Sequence, residues 1–263
     1  MQTPVDLGKH TLKPPTDMSP PPTSPRSSLA AALAVILFAF FSASPTEATS
    51  LKIQRGDHVV WIGNTFAERM QYFGEIESRL HARYPEHNLV VRNLAWSADT
   101  ISLHPRPKDF GDVHHYLSEV KADVILVCYG FNETWDYGED EGIARFEANL
   151  ASFLGGMQSK NYNGESTPKI VLYSPIACEG TTVPDTPKRN HLLLLYTNAM
   201  QRVADSLEIP CVDLYSASRA IYQKDEEKKH TINGIHLTAE GYSKLAPTIL
   251  SDKLFAPLPN GAP

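Results

Sequence analysis

Four short polar clusters interrupt an otherwise ordinary mix of apolar and charged segments: Gly63-Asn64-Thr65-Phe66, Ser97-Ala98-Asp99-Thr100, Gly130-Phe131-Asn132-Glu133 and Asn233-Gly234-Ile235-His236-Leu237. Their residue types suit acyl transfer. Thr65 follows a strand-like run and opens a helical pattern, so its hydroxyl and backbone N–H would face a crevice at a positive helix end. His236 follows a turn-forming Asn-Gly pair and is the candidate general base. Asn233 lies three residues earlier and can reach the imidazole from the same turn. Asn132 follows an apolar run, and its amide can donate to a developing oxyanion. Each residue alone also has a plain structural role: Thr65 as a helix-start residue satisfying backbone donors, Asn132 as a loop cap, His236 as a satisfied turn histidine. Together they supply a hydroxyl, a base, a base-orienter and an oxyanion donor for one crevice.

The elements that must position these residues alternate along the chain. His58 to Gly63 is a short strand-like run, and Phe66, Met70, Phe73, Ile76 and Leu80 then fall near helical spacing, which predicts one amphipathic helix ending before Pro85. Strands are expected at Leu89–Ala95, Ala122–Gly130, Lys169–Ser174 and Pro210–Leu214, with helices at Asp112–Val120, Ile143–Leu154, about Asn190–Leu207, and from a Thr238 cap toward Leu250. The near-continuous apolar run ADVILVCYG suits a central strand covered on both faces. Such alternation implies a parallel sheet with helices on both sides, in a single domain over residues 51–255. Ligands of such sheets bind beyond the carboxyl ends of the strands, where the four polar clusters fall.

In order and spacing the clusters resemble the SGNH hydrolases, the GDSL-type esterases and lipases, from about His58 to about Leu250. The resemblance implies a three-layer α/β/α sandwich of flavodoxin-like SGNH type. It implies acyl or acetyl ester substrates, some of them on carbohydrate, and neither cofactor nor metal. By this resemblance Thr65 stands at the nucleophile, Asn233 at the base-orienting acid and His236 at the base. Thr65, Ala98 and Asn132 stand at the oxyanion hole.

The departures from that pattern carry equal weight. The family's serine is Thr65 here, and the extra methyl restricts the rotamers that aim the oxygen. Its aspartate is Asn233, a change that costs ~10⁴ in turnover in the serine-protease case. Its oxyanion glycine is Ala98. Glu133, Asp99 and Glu240 are the carboxylates that could orient His236 instead, and Ser97 is a second hydroxyl near the site. A weakened ester hydrolase and a non-catalytic ligand-binding relative of one both follow from this set.

Residues 1–28 are polar and rich in proline (Pro14, Pro15, Pro20, Pro21, Pro22, Pro25), a composition that buries too little surface to fold. Arg26 then precedes the uncharged run LAAALAVILFAFFSA over 29–43, and small residues follow to 48. This is the layout of a secretory signal with cleavage near Ala43 or Ala48, so the chain reads as exported, periplasmic or secreted. An uncleaved N-terminal anchor is the alternative, and only that would make a membrane a partner. With 21% charged residues and a net charge of -6 there is no pull toward nucleic acid. Cys128, Cys178 and Cys211 are too few for a disulfide scaffold and lack metal-site spacing, although one disulfide would be permitted after export. His104, His114 and His115 do not form a metal-binding helix pattern. Lys224–His230 reads as a solvated loop.

Overall fold

The structure, a computed structural model, describes residues 50–180, 182–224 and 227–258. The proline-rich leader and the apolar run at 29–43 lie outside the described residues. Among the described residues no helix is long and apolar enough to cross a membrane.

Five parallel strands, β1 (His58–Gly63), β2 (Val90–Asn93), β3 (Val124–Cys128), β4 (Lys169–Tyr173) and β5 (Cys211–Val212), form one sheet in the order β2-β1-β3-β4-β5. This is the doubly wound order with its switch point between β1 and β3. The helices among the described residues are, in chain order, α1 (Thr65–Met70), α2 (Glu75–Arg83), α3 (Val113–Glu119), α4 (Glu133–Asp136), α5 (Glu141–Gln158), α6 (Thr186–Ser206), α7 (Leu214–Lys224) and α8 (Ala239–Ile249).

Period-two alternation divides the strand side chains between two cores. Val59, Trp61, Val124, Leu126, Val171 and Tyr173 pack with Ala67, Leu80, Leu245 and Ile249, which places α1, α2 and α8 on one face. Val60, Ile62, Ile125, Val127, Ile170 and Leu172 pack with Leu117, Phe146, Leu150, Tyr196 and Met200, which places α3, α5 and α6 on the other. Both faces of β3 are fully buried, as its unbroken apolar sequence requires. The α/β/α sandwich expected from the alternation is the observed fold.

Three local expectations are corrected. The helix expected from Phe66 to Leu80 is two helices, broken at Gly74, whose φ of 65° caps α2 in the left-handed region. The apolar spacing runs through the break because both pieces bury residues against the same core. The strand expected at Pro210–Leu214 keeps only Cys211–Val212, since Leu214 already begins α7. The stretch to His230 is not uniformly solvated either, because His230 is fully buried and stacks on Tyr222. All three cysteines are free thiols rather than a disulfide partnership.

Candidate active site

Each of the four polar clusters is set by a distinct local device. β1 ends at Gly63 because its φ of 136° and its approach to β3 tolerate no side chain: a Cβ there would lie 2.1 Å from the Cys128 carbonyl oxygen. The next residue, Asn64, donates its backbone N–H to that carbonyl at 3.0 Å, and its Oδ1 accepts the Phe66 N–H at 3.1 Å. Asn64 is therefore the cap of α1, which leaves the hydroxyl of Thr65 without capping duty. Two bonds from other elements fix the helix: Asn93 Nδ2 to Ala67 O (2.7 Å) and Tyr242 Oη to Phe66 O (2.7 Å).

The second and third clusters are tied to each other. Asp99 is buried and takes a bidentate ion pair from Arg106 at 2.7 and 2.6 Å, which pins the loop after β2. Asn132 Nδ2 donates to the backbone oxygen of Asp99 at 2.8 Å. Glu133, with no exposed surface, accepts the backbone N–H groups of Ile101 (2.9 Å) and Gly130 (2.8 Å). Burial pushes its carboxyl up to about 7, against the lowering effect of those backbone donors. Ala98, between these anchors, holds a φ of 68° and is exposed. An alanine thus sits in a backbone conformation that favours glycine.

The fourth cluster hangs on Glu179. Its buried carboxylate accepts the N–H groups of His230 (2.9 Å) and Thr231 (2.8 Å), and its own N–H donates to Gly234 O at 2.8 Å. In the turn so held, Asn233 Oδ1 accepts the backbone N–H of His236 (3.1 Å) and of Ile235 (3.4 Å). Those two donors orient the amide, so that Nδ2 faces His236 Nδ1 at 3.0 Å. Because Nδ2 can only donate, Nδ1 is an acceptor, and in the neutral ring the hydrogen resides on Nε2. Burial holds the imidazole below its ordinary pKa; Arg69 adds to this and Glu68 opposes it. The ring is therefore neutral near pH 7, with a donor rather than a lone pair at its free nitrogen.

Thr65, Asn132 and His236 line one cavity of about 140 Å³ at the carboxyl end of the sheet. Phe66, Phe131, Trp135, Pro175, Ile176 and Ile235 supply its apolar wall. Ala98 does not line this cavity, and Asn233 borders it only through the histidine it contacts. Among the described residues no hydrogen bond joins Thr65 to His236. None of the carboxylates considered as substitute orienters reaches the imidazole: Glu133 serves Ile101 and Gly130, Asp99 serves Arg106, and Glu240 faces Lys228 at 3.3 Å. Ser97 Oγ donates to Glu68 at 3.3 Å, away from the cavity wall.

Sequence reasoning named Glu133 only as a candidate orienter of His236, and it missed Glu179 and the Trp135, Pro175 and Ile176 part of the apolar wall. The Ser174-Pro175-Ile176 segment was available to the strand-end rule, since it follows β4 directly. Glu179 carried no such signal, because its partners are backbone amides some fifty residues away.

A family model for the GDSL-like lipase/acylhydrolase family matches residues 62–244, a span that contains all four clusters. The chain belongs to the GDSL-like lipase/acylhydrolase family. Membership brings ester hydrolysis as the class of chemistry and esters as the class of substrate. Solved structures share the fold at low identity. A protein from Parabacteroides merdae described as a GDSL-like lipase is 15% identical with a TM-score of 0.64, covering 78% of this chain and 98% of its own. An acetylxylan esterase from Geobacillus stearothermophilus is 21% identical with a TM-score of 0.59, over 78% of this chain and 97% of its own. A lipase/acylhydrolase from Enterococcus faecalis is 18% identical with a TM-score of 0.53, over 75% and 95%. A search of curated proteins found no matching relative.

Proposed function

We propose that this GDSL-like protein binds short acyl esters in the cavity beside Thr65 and hydrolyses them slowly. The observation that carries the reading is the convergence of Thr65, Asn132 and His236 on one small cavity. In this reading Thr65 Oγ1 attacks the ester carbonyl, and its proton passes to His236 once the ring presents a lone pair. Asn132, with the Thr65 backbone N–H, stabilises the oxyanion. The first N–H of a helix has no acceptor within the helix, so it is free for this purpose. The cavity's 140 Å³ is close to the ~150 Å³ that holds a benzene molecule. That size favours acetyl or other short acyl groups over long chains. An acetyl ester on carbohydrate, the type of substrate named for the Geobacillus stearothermophilus esterase, belongs to that class.

A second reading, ligand binding without turnover, is favoured by the Asn233 contact, which holds His236 in the tautomer unsuited to accept the Thr65 proton. The two readings separate in one assay on short p-nitrophenyl esters with wild type, Thr65→Ala, His236→Ala and Thr65→Ser. Slow hydrolysis predicts that both alanine variants fall below wild type. If wild type matches Thr65→Ala, and only Thr65→Ser gains rate, hydrolysis by the native chain is refuted for these substrates.

The proposal places the protein outside the cytoplasm, on the strength of Arg26 and the uncharged run 29–43. Amino-terminal sequencing of the protein recovered from its native cell checks this. A start near residue 44 or 49 supports export with cleavage, and an intact Met1 opposes it.

A further inference from the structure

The cavity's lining offers hydrogen-bond donors but no carboxylate. His236 carries its hydrogen on Nε2, as the Asn233 amide requires. Thr65 contributes a hydroxyl that is not engaged in capping, and its backbone N–H is the first of α1. Asn132 Nδ2 uses one hydrogen on Asp99 O and keeps a second. No Asp or Glu lines the cavity, and much of its wall is aromatic and aliphatic. Several donors in a mostly apolar pocket match a ligand with an acceptor head and a short apolar tail. Among such heads a carboxylate suits them best, because it offers two oxygens that only accept and forms the stronger, charge-assisted bonds.

We infer that the Asn233–His236 contact also fits this site to hold a short-chain carboxylate, with His236 as a hydrogen-bond donor to it. The inference rests on the cavity being the ligand site, as proposed above, and it adds the free acid to the ligands of that site. Asn233 acts here as a positioning residue: it touches the imidazole, and the imidazole touches the ligand. An aspartate in its place would accept at Nδ1, move the hydrogen there, and turn Nε2 into an acceptor facing the carboxylate.

The test uses the full chain labelled with ¹⁵N-histidine, with His236 assigned by loss of its signals in His236→Gln. Long-range ¹H–¹⁵N correlation reads the tautomer directly, and titration with sodium butyrate and, separately, with the neutral ester methyl butyrate reads the ligand class. At a pH above the His236 midpoint of either chain, where the ring is neutral, the expected result is an Nε2–H ring in wild type, saturable shifts of His236 with butyrate, and at least tenfold weaker butyrate binding in Asn233→Asp. That variant keeps an oxygen to accept the His236 and Ile235 N–H groups, so the turn retains its bonds. It should also show the hydrogen on Nδ1, a change that a merely structural role for Asn233 would not produce. An Nδ1–H ring in wild type overturns the inference. So does an Nε2–H ring that responds to methyl butyrate but not to butyrate, an outcome that leaves ester recognition standing. A ring that responds to neither ligand overturns both the inference and the ester-site reading.

Discussion

At the residue scale, the chemistry turns on which nitrogen of His236 carries the hydrogen. Thr65, Asn132 and His236 were legible as candidates because each combines a reactive side chain with a position at a strand or turn end. The orientation of the Asn233 amide was not legible, since it is set by two backbone N–H groups that become its partners only in the folded turn. Replacing that amide by a carboxylate has a clear sign. In wild type the imidazole's pKa is lowered, so His236 binds its proton more weakly in the folded than in the unfolded chain. Its contribution therefore opposes folding at acid pH and vanishes as the pH rises through the unfolded value of ~6.5. In Asn233→Asp the adjacent negative charge should reverse this, with the His236 titration midpoint in NMR rising by one unit or more. A midpoint unchanged by the substitution would mean that the two side chains do not interact as described.

At the scale of elements, the loops after β2 and β3 behave as one unit, joined by Asn132 and Glu133, while the Asp99–Arg106 pair pins the first of them. The sequence showed the loops but not their coupling, because nothing local in Glu133 reveals a backbone partner thirty-two residues away. Two consequences are measurable. Ala98 occupies left-handed backbone, which costs a non-glycine residue about 1 kcal/mol or more. Ala98→Gly should thus raise stability by roughly that amount, less the glycine's extra unfolded-state entropy, seen as a higher urea midpoint. A lower midpoint would place the strain elsewhere. Glu133 has a folded pKa raised to about 7 from an ordinary value of 4.5. The folded state therefore binds the proton more tightly, and stability should fall as the pH rises from 4.5 to 7. Urea unfolding of Glu133→Gln across this range should lack that decline. Parallel curves for variant and wild type would assign the pH dependence to other groups.

At the scale of the whole molecule, the sheet was legible because five short apolar runs alternate with helical patterns, and only a parallel sheet covered on both faces buries all of them. The break between α1 and α2 was less so, since an apolar stripe continues across Gly74 when both helices pack on one core. The cavity's size was not legible at all: its wall gathers residues from four separate stretches, and the volume follows from their packing. That volume predicts a steep preference in p-nitrophenyl ester assays for acetyl and butyryl over palmitoyl chains. Equal rates across the series would contradict it.

In the proposed reading this chain keeps a GDSL-like ester site in which Thr65 and Asn233 suppress turnover. The most direct measurement is kcat/KM for p-nitrophenyl acetate in the double variant Thr65→Ser/Asn233→Asp, beside wild type and Thr65→Ala. Restoring serine and the base-orienting acid should raise kcat/KM by ~10² or more over wild type, given the ~10⁴ that one such orienting carboxylate contributes elsewhere. A correctly folded double variant no faster than Thr65→Ala would contradict the account.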